Sequence, residues 1–94
     1  MANSRLKTHY SRLLMHLEII TPEKKVFEGE VRIVTFPGSD GSFQVLDNHA
    51  PIISLLKEGV LEYKTKEGAN RVNITGGVVE VLKNKVIVLA DGTV

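Results

Sequence analysis

From His16 onward, hydrophobic and polar positions alternate with a period of two along nearly the whole chain. That is the period of strands with one buried face. Leu17 and Ile19 flank Glu18, and Thr21-Pro22 ends the run because proline brings no N–H to a ladder. Lys25 to Glu28 form a second run, closed by Gly29. Val31, Ile33 and Thr35 alternate with Arg32 and Val34 as far as Pro37-Gly38, and Ser39-Asp40-Gly41 has turn chemistry. Further strands are predicted over Phe43 to Leu46, Pro51 to Leu56, Val60 to Thr65, Arg71 to Thr75, Val78 to Leu82 and Val86 to Ala90. The last two are separated by Lys83-Asn84-Lys85, the spacing of a hairpin. No long window keeps a 3.6 period between two caps, so no helix is predicted. Short strands at regular spacing predict an all-β domain, a sandwich or a barrel.

Composition narrows the picture. A chain of 94 residues that is 43% hydrophobic and 24% charged makes one ordered domain. At that size folding buries about 60–65% of the surface, which leaves no room for a deep cofactor cavity. The absence of cysteine excludes a disulfide scaffold, thiolate metal sites and a cysteine nucleophile. No apolar run reaches the roughly 18–20 residues of a membrane helix. The net charge of +1 gives no global field for nucleic acid. It is unevenly spread, because residues 1–14 hold Arg5, Lys7 and Arg12 and no acid. That acid-poor leader has the composition of a transit peptide, but it is short and lacks an amphipathic period. It reads as an N-terminal extension, a tag or an alternative start, with Met15 as the natural first residue and the domain over residues 15–94.

Candidate chemistry is sparse. Asp47, His49 and Ser54 are close in sequence, yet no nucleophile elbow surrounds them, and Asp47-Asn48 is ordinary turn composition. His9, His16 and His49 are scattered without metal-ligand spacing. Gly38-Ser39-Asp40-Gly41 precedes a strand, whereas a phosphate cradle opens a helix, and Asp40 repels an anion. Oligonucleotide binding needs exposed aromatics among basic residues. Here Tyr10 lies in the leader, Phe27, Phe36, Phe43 and Tyr63 sit in strand patterns, and Lys24-Lys25 and Lys64/Lys66 are interrupted by acids. The residues by themselves describe a small all-β domain without catalysis, metal, cofactor or nucleic acid, whose function is binding through a face or its loops.

Several blocks, in order, carry a resemblance. They are Thr21-Pro22-Glu23, Val26-Phe27-Glu28-Gly29-Glu30-Val31, Phe36-Pro37-Gly38-Ser39-Asp40-Gly41-Ser42-Phe43, and Val45-Leu46 through Asn48-His49-Ala50-Pro51. Lys57-Glu58-Gly59-Val60-Leu61, Gly76-Gly77-Val78-Val79-Glu80-Val81 and Val86-Ile87-Val88-Leu89-Ala90-Asp91 follow. Over roughly residues 16–92 the chain resembles the epsilon subunits of F-type ATP synthases. The resemblance implies a β-sandwich of about ten short strands. It also implies a non-catalytic rotor subunit at the foot of the central stalk, bound to the gamma subunit and resting on the c-ring. Such a subunit couples ion flow to ATP synthesis, lies peripherally on the cytoplasmic face of the cell membrane without inserting, and is a monomer when isolated. Carried over by position, Gly38, Ser39, Asp40, Gly41, Ser42, Phe43 and Gln44 form the c-ring contact loop, and His49, Ala50 and Pro51 the gamma contact.

The chain departs from the family pattern where Gln44 replaces a frequent glycine, Asp47-Asn48 a frequent Pro-Gly turn, and Ser42 a frequent acid. It stops at Val94, so the resemblance implies a short form without the family's C-terminal helical hairpin, its autoinhibition or a nucleotide site. The alternative is an unrelated β-sandwich that binds carbohydrate through exposed aromatics or peptide through an open edge strand.

Overall fold

A computed structural model describes residues 14–94. The expected extension over residues 1–14 therefore lies outside the described residues, apart from Leu14. Among the described residues nine strands follow one another: β1 (Met15–Ile20), β2 (Lys25–Val31), β3 (Ile33–Gly38), β4 (Gly41–Leu46), β5 (Ile52–Leu56), β6 (Gly59–Thr65), β7 (Gly68–Ile74), β8 (Gly77–Leu82) and β9 (Lys85–Ala90). They form one hydrogen-bonded sheet in the order β2-β1-β9-β8-β5-β3-β6-β7, with β4 on the free side of β3. All pairings are antiparallel except β1 with β9.

The sheet doubles over where β5 meets β3. Contact there is reduced to the Gly38↔Leu56 pair, with Ser39 N–H donating to the Leu55 carbonyl and Lys57 N–H to that of Pro37. One layer is β2-β1-β9-β8-β5 and the other β4-β3-β6-β7. The chain passes between layers at the Lys57-Glu58 bend, as sandwich corners are made.

Alternation places the core between the layers. Met15, Leu17 and Ile19 of β1, Val79 and Val81 of β8, and Val86 and Val88 of β9 face Val34 and Phe36 of β3, Val45 of β4, Leu61 of β6 and Ile74 of β7, all nearly inaccessible. Each such side chain contributes about 1.5–3 kcal/mol by leaving water. Phe27 and Tyr63, with ring centroids 4.3 Å apart, close the side where β2 approaches β6. Burial pushes the Tyr63 hydroxyl above its ordinary pKa.

Two expectations need correction. Gly29 does not end the second strand: β2 continues to Val31, paired across to Met15. A side chain at Gly29 would press on the Phe27 ring, 3.1 Å from an added Cβ, so the ring roofs over the glycine within the strand. Val31 therefore belongs to β2 and not to the run with Ile33 and Thr35. The chain bends at Arg32, whose N–H donates to the Lys64 carbonyl, and the parity then buries Val34 and Phe36.

Candidate interaction surface

The two segments singled out in the sequence lie at opposite ends of β4. Gly38 closes β3, Ser39-Asp40 is the two-residue turn, and Gly41 to Gln44 open β4. Gly41 takes φ 130°. Gly38 admits no side chain, because an added Cβ would lie 2.5 Å from the Gly41 carbonyl oxygen and 2.9 Å from the Phe43 ring. Ser39, Asp40, Ser42 and Gln44 are exposed, while Phe43 is half-buried with its ring 5.3 Å from that of Phe36. The Gln44 side-chain amide donates to the Thr35 hydroxyl at 3.3 Å. The hairpin tip thus offers one carboxylate, hydroxyls and backbone to a partner, on a rigid two-stranded base.

At the far end, roughly 17–20 Å along the strand, Asp47-Asn48 turns the chain toward β5. Asn48 adopts φ 65°, the left-handed region that asparagine tolerates, and His49 N–H donates back to the Leu46 carbonyl at 3.1 Å. The His49 ring places Nδ1 2.8 Å from the Ala50 carbonyl, so Nδ1 carries the proton and Nε2 is left for solvent or a partner. Asp47 does not orient His49, because its carboxylate accepts from Asn84 Nδ2 at 2.6 Å. Asn84 Oδ1 in turn accepts from Asn48 N–H at 2.8 Å, and the Asn84 carbonyl accepts from His16 N–H at 2.9 Å. One asparagine of the β8–β9 turn therefore anchors both the Asp47-Asn48 turn and the start of β1. Lys83 and Asn84 have φ 51° and 61°, the paired left-handed values of a type I′ hairpin. Ala50 and Pro51 are exposed beside this junction, and Pro51 leads directly into β5.

Between the two ends lies a feature that sequence reasoning did not assign. The outward face of the β1-β9-β8-β5 layer carries a row of directly paired apolar residues, Ile20↔Leu89↔Val78↔Leu55. A second row runs Glu18↔Ile87↔Glu80↔Ile53. Ile53 is 74% exposed, Leu55 67%, Leu89 50% and Leu82 47%. The first row floors a shallow groove rimmed by Thr21, Pro22, Ser39 and Asp91, so the apolar face meets the base of the β3–β4 hairpin. A contiguous apolar face on a small domain marks an interaction surface. The available signal was the composition of β5, where Ile52, Ile53, Leu55 and Leu56 make both faces apolar although an antiparallel layer needs only one.

Charge gathers on the β1–β2 edge of the same face. Lys25 Nζ lies 2.5 Å from Glu28 and 3.1 Å from Glu18, and His16 Nε2 lies 3.0 Å from Glu28. The hydrogen bond from Lys25, then that from His16, holds the Glu28 carboxyl below its ordinary pKa, and Lys25 is raised by its bonds to Glu28 and Glu18. Among the described residues no group of three or more His, Asp or Glu side chains could hold a metal ion. Phe36 and Tyr63 are buried and Phe27 and Phe43 half-buried, which leaves no fully exposed described ring for a sugar or a base. The surface presents an apolar sheet face, a polar hairpin at one end and a histidine turn at the other.

Residues 14–94 match the family described as ATP synthase, Delta/Epsilon chain, beta-sandwich domain. The ATP synthase epsilon chain of Campylobacter fetus subsp. fetus (strain 82-40) is 47% identical over 81 residues, 85% of this chain and 63% of that relative. The ATP synthase epsilon chain of Campylobacter curvus (strain 525.92) is 46% identical over the same shares. The chain thus spans 63% of the length of these relatives. In fold it is similar to a chain of the Euglena gracilis mitochondrial ATP synthase OSCP/F1/c-ring structure, with a TM-score of 0.80 at 21% identity, covering 88% of this chain and 53% of that one. A chain of the Tetrahymena thermophila mitochondrial ATP synthase central stalk/c-ring structure gives a TM-score of 0.71 at 18% identity, covering 85% and 65%.

Proposed function

The chain belongs to the ATP synthase Delta/Epsilon chain beta-sandwich family, and from that premise we propose that it serves as the β-sandwich of a central-stalk rotor subunit, joining the gamma subunit to the c-ring. In this reading it performs no chemistry. It transmits torque as a rigid body held at two surfaces, and so couples ion translocation to ATP synthesis. It works peripherally at the cytoplasmic face of the membrane, without inserting.

The observation that carries the reading is the apolar outward face around Ile53, Leu55, Val78 and Leu89, with Pro51 lining one shallow groove together with Ile53 and another together with His49. A solitary domain gains nothing from leaving these side chains in water, whereas a tightly held stalk subunit needs an apolar interface core with a polar rim. We assign this face with His49, Ala50 and Pro51 to gamma. The hairpin over Gly38, Ser39, Asp40, Gly41, Ser42, Phe43 and Gln44 is assigned to the polar loops of the c-ring. The hairpin suits that task because its tip is polar and its base is fixed by the β3–β4 ladder and the Ser39–Leu55 hydrogen bond.

The test is titration of the chain against purified gamma subunit and, separately, against purified c-ring, with His49→Ala, Leu55→Lys and Asp40→Ala alongside. One-to-one binding to gamma, weakened by His49→Ala and Leu55→Lys and untouched by Asp40→Ala, supports the division of surfaces. Asp40→Ala should register only with the c-ring. Absence of gamma binding at roughly tens of micromolar overturns the reading.

A further inference from the structure

The turn that carries His49 fixes the hydrogen-bonding character of its ring. Asn48 N–H donates to Asn84 Oδ1 at 2.8 Å and His49 N–H to the Leu46 carbonyl at 3.1 Å, so the backbone leading into the ring is pinned. Nδ1 lies 2.8 Å from the Ala50 carbonyl, which can only accept. The Nδ1 proton is therefore used inside the turn. A neutral imidazole has one N–H and one lone pair, so Nε2 is left as an acceptor. His16 differs, because its Nε2 lies 3.0 Å from a Glu28 carboxylate oxygen and so must donate.

The His49 ring lines a shallow groove with Asn48, Ala50, Pro51, Lys83 and Asn84. Lys83 brings an ammonium to that groove. Asp47 has its carboxylate bonded to Asn84 Nδ2 at 2.6 Å. Beyond Asn84, on β1 and β9, stand His16, turned to Glu28, and its register partner Lys85. Three kinds of partner group can be weighed against this setting. A carboxylate suits Lys83 but meets the Nε2 lone pair, and bonds to the ring only once Nε2 is protonated. An ammonium or guanidinium suits the lone pair but is repelled by Lys83. A neutral O–H or N–H satisfies Nε2 without opposing Lys83.

We propose that His49 is a fixed hydrogen-bond acceptor that recognises a neutral donor on the gamma subunit, and that protonation of the ring releases this contact. Two donors would then face each other across the interface, and a desolvated donor without an acceptor is costly. Linkage gives the sign. Binding that uses the Nε2 lone pair opposes proton uptake there, so affinity is full while the ring is neutral and falls as pH drops through its titration. The choice of gamma rests on the stalk reading; the acceptor state of the ring does not.

The test has two parts. Ring-nitrogen NMR shifts of the free 94-residue chain at neutral pH should show the proton on Nδ1 of His49 and none on Nε2. The opposite tautomer overturns the proposal, whatever gamma does. Titration against purified gamma then runs from about pH 8 to about pH 5, the interval over which an imidazole gains its second proton. Native affinity should fall about tenfold or more across the step that the ring shifts mark. His49→Gln keeps a side-chain acceptor and does not titrate. It should bind within a few fold of the native chain at the alkaline end and give a flat profile, which also separates His49 from any titration of gamma. His49→Lys, with only donors to offer, should bind weakly throughout. Thermal unfolding verifies that both variants fold. Affinity that rises on acidification overturns the proposal in favour of an acidic partner group. A native profile parallel to that of His49→Gln overturns it, and so does equal binding by His49→Lys and His49→Gln. Absence of gamma binding at every pH overturns the stalk reading and this contact with it, whereas gamma binding that ignores the state of His49 overturns this contact alone.

Discussion

Asn84 Nδ2 donates to the Asp47 carboxylate at 2.6 Å across 37 residues of sequence, and this bond ties the β8–β9 turn to the β4–β5 turn. The same Asn84 side chain accepts from Asn48 N–H, and Asn84's own φ of 61° already favours asparagine or glycine. Asn84→Gly keeps the backbone conformation and loses the side-chain bonds, so it should cost about 1–2 kcal/mol. Asn84→Ala adds the strain of a left-handed alanine, about 1–2 kcal/mol more. Urea unfolding of both variants measures the two effects separately. A double-mutant cycle with Asp47→Ala should show coupling, because the residues are in contact.

The β3–β4 hairpin depends on Gly38 for a different reason. Its added Cβ would meet the backbone carbonyl of Gly41 at 2.5 Å, and a carbonyl within a ladder cannot swing aside as a flexible side chain would. Gly38→Ala should destabilise the domain by about 1–3 kcal/mol. The damage should centre on the hairpin, visible as faster amide exchange at Gly41 and Phe43 in the variant. Phe43→Leu in the same background should not restore stability, since the carbonyl contact remains.

The Asn84 junction and the Gly38 contact divide what the sequence discloses from what it withholds. Period-two alternation and turn residues specify local pairing, and the β8–β9 hairpin across Lys83 and Asn84 was readable from spacing alone. So was the all-β sandwich. The Gly29–Arg32 stretch was not, because a glycine reads as a breaker until a ring such as Phe27 is known to cover it. The apolar outward face was partly visible in β5. Alternation shows that two sets of residues face opposite ways, but which set meets the other layer depends on topology. The contact of Asp47 with Asn84 joins turns from different hairpins, and no local pattern encodes it. The positions proposed for partner contact came from resemblance, and the fold adds that they stand at opposite ends of β4.

The exposed apolar face should be dispensable for folding. Ile53 and Leu55 keep most of their surface in water, so Ile53→Thr and Leu55→Thr should shift stability by no more than about 0.5 kcal/mol in either direction. Both should raise solubility and weaken gamma binding. By contrast, Phe36→Ala removes a fully buried ring and should cost about 3–5 kcal/mol. That is a large share of the roughly 5–15 kcal/mol typical of a whole domain. Thermal unfolding and gamma titration on the same samples separate the two classes of residue.

The charge cluster on β1 and β2 predicts the shape of the pH–stability profile. Glu28 is held below its ordinary pKa of 4.5, chiefly by the hydrogen bond from Lys25 and then by that from His16. A carboxyl depressed in the folded state binds more protons when unfolded. Its contribution is therefore complete above the ordinary value and is lost as pH falls through the folded value. Lys25 is raised above 10.5, so its contribution is complete below that value and is lost as pH climbs through the folded one. Together they give a plateau bounded on both sides by one ion pair. Glu28→Gln should lower the plateau and should converge with the native chain at strongly acidic pH, where both carry a neutral group at this position. It should also reduce the alkaline loss, since Lys25 then keeps only Glu18. Both groups are open to solvent, so the difference should be modest and should shrink as salt screens the pair. Urea midpoints from about pH 3 to about pH 11, at low and high ionic strength, measure it. A Glu28→Gln profile parallel to that of the native chain on the acid side would show that this pair does not shape the acid limb.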